Sequence, residues 1–189
     1  MLDQIIKLDQ ELLIYLNNLG NPTLDTFFLI ITKWWYLIPI FAYVFYIIIK
    51  KIGWKKFGLV VLVMALLILF TDQTTNVVKK IVQRLRPCNE PGVSEYLRSV
   101  ITRKSFSFFS GHASNSMAVT IFLFLLLKQY RVKYLGFLFL FPLIFAYSRV
   151  YLGLHYPGDI LTGYAVGLIT GSVFFKLYEY LEKKYFLKI

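Results

Sequence analysis

Residues 57–78 have the sequence FGLVVLVMALLILFTDQTTNVV, in which Asp72 is the only charged residue. A helix needs about 20 predominantly apolar residues to cross the hydrocarbon core of a bilayer. This stretch is long enough, so it predicts a membrane-spanning helix.

Four further apolar stretches cover residues 24–49, 113–127, 134–147 and 160–178. The second and third of these reach the spanning length only when their flanks are included. Gly163, Gly167 and Gly171 recur at four-residue spacing, which predicts close packing of the last helix against a neighbour. We therefore expect an all-α integral membrane helical bundle. It would have about five transmembrane helices over residues 24–178, within a single domain of residues 1–189.

The first 20 residues show a different pattern, in which apolar residues recur at spacings of three and four with polar residues between them. This pattern predicts an amphipathic helix that lies in the membrane interface. Asn21-Pro22 is expected to end it, because proline cannot continue a hydrogen-bonded helix. The segment lacks a basic start and a small-residue cleavage site, so we do not interpret it as a signal peptide.

Composition agrees with a membrane protein: 58% of the residues are hydrophobic, and the mean hydropathy is +0.62. The formal charge of +11 could suggest a nucleic-acid partner. The basic residues, however, lie between the apolar stretches rather than along one face, which favours membrane flanks and an anionic ligand over nucleic acid. Cys88 is the only cysteine, so the chain cannot form an intrachain disulfide or a cysteine-based metal site.

The connections alternate between two sides of the membrane. Basic residues of the short connections and the C-terminus fall on one side: Lys50, Lys51, Lys55, Lys56, Lys128, Arg131, Lys133, Lys176, Lys183, Lys184 and Lys188. The other side carries nearly as many basic residues, but several of them are candidate ligands of an anion. With those set aside, the bias predicts a cytoplasmic location for the side of the short connections. The N-terminal helix, the long loop of residues 87–110 and the turn around His155 would then face the extracytoplasmic side.

Three segments on that side carry candidate chemistry. Lys79 and Arg86 are seven residues apart, and on a continuous helix they would lie on nearly one face and reach one anion. Pro87 should end the helix near Arg86. Taken alone, two basic residues at a helix end can equally be cations that extend to the membrane surface.

The segment Ser110-Gly111-His112 precedes an apolar run and predicts a helix start. Free backbone N–H groups and the positive end of the helix dipole make such a start a phosphate cradle, and Gly111 lets the backbone come close. Ser110 could instead serve only as the N-cap of the helix.

The segment of residues 148–159, SRVYLGLHYPGD, joins the last two apolar stretches. His155 and Asp159 are four residues apart, which allows the carboxylate to hold one imidazole nitrogen and leave the other free to attack. The alternative is that Asp159 caps the last helix and His155 is an interfacial polar residue. Both histidines of the chain fall in these candidate segments, which favours chemistry.

Lys79 to Arg86-Pro87, Ser110-Gly111-His112 and Ser148-Arg149 to His155 to Asp159 together resemble the three-part signature of the type-2 phosphatidic acid phosphatase superfamily. One departure is Phe109, where the family has proline. The resemblance implies a phosphate clamp of Lys79, Arg86, Ser110, Gly111 and Arg149. It also implies His155 as nucleophile, His112 as general acid and Asp159 as the group that orients His155.

The resemblance further implies hydrolysis of a phosphate monoester or diphosphate on a membrane lipid through a phosphohistidine, with no metal and no cofactor. Undecaprenyl diphosphate is the first expected substrate if the source is bacterial, and phosphatidate, phosphatidylglycerophosphate and lipid A are alternatives. The location would then be a bacterial inner membrane. Two other functions stay open: a non-catalytic transporter or binding protein for lipid phosphates, and a phosphatase for soluble phosphate esters.

Overall fold

The computed structural model describes residues 1–186, apart from the side chain of Trp34, so Lys188 lies outside the described residues. In this range every regular element is helical: α1 (Leu2–Asn18), α2 (Pro22–Ile31), α3 (Ile38–Val82), α4 (Gly111–Gln129), α5 (Leu140–Tyr151) and α6 (Pro157–Phe186). Four short 3-10 turns lie at Trp34–Leu37, Pro87–Asn89, Ser94–Tyr96 and Leu135–Phe139. The all-α prediction is confirmed.

Helix α3 consists of two arms that meet at Gly53. The backbone there has φ 76° and ψ 166°, a conformation that glycine adopts readily because it has no Cβ. The rings of Phe45 and Phe57 lie 5.5 Å apart, whereas twelve residues of a straight helix would span about 18 Å. The chain therefore folds back on itself at Gly53.

Helices α4 and α6 form the centre of the bundle, and the glycine stripe of α6 lies directly on α4. A Cβ atom added at Gly167 would come within 2.5 Å of the Ser114 carbonyl oxygen, and one at Gly171 within 2.5 Å of the Ala118 carbonyl oxygen. Gly163 meets the Ser110 carbonyl oxygen in the same way, at 2.7 Å. The prediction that these glycines permit close helix packing is confirmed.

Three helical segments are long and apolar enough to cross a membrane, namely Trp35–Asn89, Gly111–Gln129 and Pro157–Phe186. The protein is an integral membrane protein.

The prediction of one continuous span over residues 24–49 is wrong. Helix α2 ends at Ile31, Lys33 is extended, and α3 begins at Ile38. Pro39 explains the new start, because proline is tolerated in the first turn of a helix but disrupts its interior.

The N-terminal helices pack against the end of the bundle that carries residues 148–159. Asn17 of α1 donates to the Tyr151 carbonyl oxygen at 2.6 Å and accepts from the Arg98 N–H at 2.7 Å. Asp25 of α2 accepts from the Tyr151 hydroxyl at 2.6 Å and forms an ion pair with Arg98 at 2.9 Å. Helix α1 matches the predicted amphipathic segment in extent, and its place in the membrane interface stays a prediction.

Candidate active site

The first part of the site is the C-terminal end of α3. The helix ends at Val82, and Gln83 adopts a left-handed conformation with φ 51°. Lys79 therefore lies in the last turn, whereas Arg86 lies beyond the helix on extended backbone with φ −73° and ψ 151°. The prediction that Lys79 and Arg86 share one helical face is wrong, because Gln83 breaks the helix between them.

Arg86 reaches the site through tertiary hydrogen bonds instead. Its Nε donates to the carbonyl oxygen of Ser105 at 2.9 Å, and its Nη2 donates to the Ser105 hydroxyl at 3.0 Å. Its Nη1 donates to the Leu154 carbonyl oxygen at 2.8 Å. Arg86 thus fixes the loop of residues 87–110 against the segment that carries His155. Ser105 was missed by the sequence analysis because no spacing connects it to the cations.

His155 is held from both sides of its ring and is only 1% exposed. Its Nδ1 lies 3.3 Å from Asp159 Oδ2, and its Nε2 lies 3.0 Å from Arg86 Nη1. A guanidinium can only donate, so Nε2 must be the acceptor and the proton must be on Nδ1, facing the carboxylate. The predicted pairing of His155 with Asp159 is present, and it leaves the Nε2 lone pair on the side of the cations.

The charge state of His155 follows from its surroundings. Burial lowers the pKa of His155 to about 4, and the hydrogen bond to Asp159 only partly opposes this effect. The imidazole is therefore neutral at pH 7. A neutral imidazole carries the free lone pair that a nucleophile needs.

Arg149, at the end of α5, is buried with one donor free. Its Nε has no hydrogen-bond partner within residues 1–186, and its guanidinium lies 5.5 Å from the centre of the Phe145 ring. Buried donors in folded proteins are almost always paired. Arg149 is thus positioned to donate to an anionic ligand.

The start of α4 supplies the other candidate groups. Ser110 is the N-cap, and its hydroxyl accepts from the Ala113 N–H at 3.4 Å. The Ser110 N–H itself donates to the Asp159 carbonyl oxygen at 3.1 Å. Phe109, which replaces the family proline, is buried. The predicted helix start is confirmed, and the alternative role of Ser110 as N-cap is present in the structure.

His112 lies in the first turn of α4, with its ring centre 5.4 Å from that of Phe145. Arg149, His155, Lys79 and Arg86 all lie close enough to act on it electrostatically. The structure therefore brings the two histidines and the three predicted cations to one place. Within residues 1–186, no group of three or more His, Cys, Asp or Glu side chains is placed to hold a metal ion.

Two charged residues at the site were missed by the sequence analysis. Arg84 Nη1 forms an ion pair with Asp159 Oδ1 at 2.9 Å, and Arg84 Nη2 forms one with Asp9 Oδ2 at 2.8 Å. Arg84 stands between the two predicted cations in the sequence, but no spacing rule distinguished it. In the sequence, Asp9 is one of several polar residues on the amphipathic helix α1. Only the tertiary structure shows that it pairs with Arg84.

The chain is similar to several known proteins. Residues 56–183 match the PAP2 superfamily. The chain is 35% identical to the lipid A 4'-phosphatase of Bacteroides thetaiotaomicron, over 93% of this chain and 79% of that protein. It is 30% identical to the lipid A 4'-phosphatase of Porphyromonas gingivalis, over 97% and 78% of the two chains. Its fold resembles the crystal structure of a PAP2-type phosphatidylglycerolphosphate phosphatase from Bacillus subtilis, with a TM-score of 0.69 and 22% identity over 96% and 88% of the two chains.

Proposed function

This chain belongs to the PAP2 superfamily, and we propose that it hydrolyses a phosphate monoester on a membrane lipid with His155 as nucleophile. The observation that carries the proposal is the fixed tautomer of His155. Asp159 accepts from Nδ1, and the lone pair of Nε2 faces the cations. A structural histidine would not need a neutral, correctly oriented nitrogen beside three buried or half-buried cations.

The first chemical step forms a bond between His155 Nε2 and phosphorus while the bond from phosphorus to the lipid oxygen breaks. His112, held in its protonated form by the negative charge of the bound phosphate, gives its proton to that departing oxygen. The positive charge that develops on the imidazole is stabilised by Asp159 through Nδ1. For this step Arg86 Nη1 must leave Nε2, with which it is bonded at 3.0 Å. Binding of the phosphate supplies an alternative acceptor for that donor.

The second step releases inorganic phosphate. His112, now neutral, takes a proton from water, the water oxygen bonds to phosphorus, and the bond to Nε2 breaks. In both steps negative charge is spread over the equatorial phosphate oxygens, where Lys79, Arg86 and Arg149 stabilise it. The Gly111 N–H and the Ser110 hydroxyl complete the phosphate site.

The substrate we propose first is a lipid A phosphate monoester. Two relatives that match almost the whole chain are named lipid A 4'-phosphatases. These names support lipid A as the first candidate, ahead of the undecaprenyl diphosphate expected from the sequence. Phosphatidate and phosphatidylglycerophosphate remain alternative substrates.

In this proposal the bundle crosses the membrane five times, and α1 lies in the interface. The site faces the extracytoplasmic side of a bacterial inner membrane, and the C-terminus is cytoplasmic.

The experiment is phosphate release by the purified protein in detergent, on lipid A, undecaprenyl diphosphate, phosphatidate, phosphatidylglycerophosphate and one sugar phosphate. We expect release from lipid A to be fastest. His155→Ala should lower kcat by at least about 1,000-fold, because removal of a nucleophile abolishes the covalent route. Binding of lipid without release by the wild-type protein would instead indicate a transporter or binding protein.

The separate roles of the two histidines can be tested with p-nitrophenyl phosphate, whose leaving group needs no protonation. His112→Ala should then give a burst of one nitrophenolate for each enzyme molecule, followed by slow turnover, because only the release step still needs a base. His155→Ala should give no burst. A burst from His155→Ala would contradict the assignment of the nucleophile.

A further inference from the structure

The carboxylate of Asp159 is oriented by more than His155. Oδ2 faces His155 Nδ1 at 3.3 Å and accepts from the Tyr156 N–H at 3.0 Å. Oδ1 accepts from Arg84 Nη1 at 2.9 Å. Asp159 is 0% exposed, and a buried carboxylate is stable only when it is paired. Arg84 supplies that pairing on the face of the carboxylate that His155 does not use.

Arg84 is itself held in place from two further directions. Its guanidinium carbon lies 3.7 Å from the centre of the Tyr156 ring, and its Nη2 donates to Asp9 Oδ2 at 2.8 Å. The other oxygen of Asp9 accepts from the Gly158 N–H at 2.7 Å, one residue before Asp159. The planar fork of arginine suits a bridge between two carboxylates, which a lysine ammonium cannot reproduce.

Asp9 belongs to α1, which lies outside the residues 56–183 that match the family. A series of contacts therefore connects the N-terminal helix to the nucleophile. It consists of two ion pairs, Asp9 with Arg84 and Arg84 with Asp159, and of the hydrogen bond between Asp159 and His155. No other element of the described structure reaches Asp159 Oδ1 with a hydrogen bond or ion pair.

We propose that Arg84 is a positioning residue, which fixes Asp159 and through it the attacking nitrogen of His155, and that Asp9 of α1 holds Arg84 in that position. This inference rests on the proposed phosphatase function. Arg84 itself does not contact phosphate, because both ends of its guanidinium are occupied by carboxylates. The titratable and charged groups that act on Asp159 are Arg84 and the neutral His155 imidazole by contact, and Lys79 and Arg86 through space.

The chain offers a matched control in the Arg98–Asp25 bridge. Arg98 Nη2 contacts Asp25 at 2.9 Å, and Asp25 also accepts from the Tyr151 hydroxyl. This bridge likewise ties an N-terminal helix to a neighbouring segment of the fold, here α2 to the loop of residues 87–110, but it does not touch Asp159. A purely structural role for Arg84 predicts that loss of either bridge has the same effect.

The test compares Arg84→Met, Arg84→Lys, Asp9→Asn and Arg98→Met in phosphate release from the lipid that the wild-type enzyme hydrolyses, with thermal unfolding of each variant in the same detergent. Arg84→Met should lower kcat about 100-fold with little change in KM, because a misoriented nucleophile affects the chemical step rather than binding. Arg84→Lys should recover part of this loss, and Asp9→Asn should show a smaller loss of the same kind. Arg98→Met should lower the unfolding temperature and leave kcat close to that of the wild type.

The pH profile of kcat/KM separates positioning from stability. In Arg84→Met the acidic limb should move to higher pH, because a carboxylate that loses its cation takes up a proton more readily. In Asp9→Asn the limb should not move to higher pH, because Arg84 stays in the protein as the cation of Asp159. Arg98→Met should leave the limb in place. Equal kcat values and equal limbs for the Arg84 and Arg98 variants would overturn the inference.

If Arg84→Met does not fold, the kcat values of Arg84→Lys and Asp9→Asn decide the question: values equal to that of Arg98→Met would overturn the inference. A wild-type protein that releases no phosphate from any lipid contradicts the proposed function instead, so the two failures are distinguishable.

Discussion

The two ends of the α4–α6 helix pair are built from different side chains. Near the start of α4, polar groups such as Ser110, His155 and Arg149 are buried, whereas near its end Phe122 and Leu126 belong to a continuous apolar cluster. Each end also carries a carboxylate in an ion pair, Asp159 with Arg84 at 2.9 Å and Glu182 with Lys56 at 2.8 Å. The polar end of the helix pair thus carries the candidate catalytic groups, and the apolar end carries the core. Substitutions at the polar end should mainly lower activity, whereas substitutions along the packed interface should mainly lower stability.

Among variants that keep both histidines, the largest effect is expected at the polar end, from Arg149→Met. Loss of a cation that stabilises developing charge should lower kcat about 100- to 1,000-fold. The unfolding temperature should not fall, because the variant removes a buried guanidinium whose Nε has no partner. Phosphate release and thermal unfolding of the same preparation check both halves of this prediction. A large loss of stability would show that Arg149 supports the fold, and it would contradict the assignment of the polar end to chemistry rather than stability.

A smaller effect, on stability rather than chemistry, is expected from Gly167→Ala. The new Cβ would lie 2.5 Å from the Ser114 carbonyl oxygen, and overpacking of this kind destabilises a protein by about 1–3 kcal/mol. Gly58→Ala is the matched control, since nothing lies within 4 Å of its Cβ position. Thermal unfolding should show a clear decrease for Gly167→Ala and none for Gly58→Ala. Equal behaviour of the two variants would contradict direct contact between the helices.

The smallest effect is expected from the double variant Lys56→Met/Glu182→Gln. It removes the ion pair at the apolar end while keeping the size of the glutamate and one of its acceptor oxygens. Glu182 is only 8% exposed, and removal of both partners of a buried ion pair is often nearly neutral for stability. The pair also lies far from both histidines along α6. Unfolding temperature and kcat should therefore stay close to the wild-type values. A loss of activity comparable to that of Arg84→Met would show that the two ends are coupled.

The features predicted correctly from the sequence are those that local chemistry determines. His155 and Asp159 meet because they lie four residues apart at a helix start, and Ser110 begins α4 because its hydroxyl caps the free N–H groups. The glycines of α6 were recognised by their spacing alone. In each case the prediction depends only on the residues of one short segment and their spacing.

The features predicted wrongly or missed depend on distant residues or on single backbone positions. The left-handed conformation of Gln83 removes Arg86 from the helical face assumed for it. The ion pairs of Arg84 join three segments, 75 residues apart in each case. A single sequence carries no periodic signal for such pairs, because they are determined by tertiary packing.

The backbone contact between α4 and α6 also bears on how the molecule can move. Gly163, Gly167 and Gly171 lie against the carbonyl oxygens of Ser110, Ser114 and Ala118 on successive turns, so the backbones of the two helices are in direct contact and have little room to slide. We expect the pair to move as one rigid body, and His112 and Asp159 lie at the same end of it. The spacing of the acid and the orienting carboxylate is then constant through the catalytic cycle, and the motions that admit the lipid and release the product fall to α5, the N-terminal helices and the loop of residues 87–110.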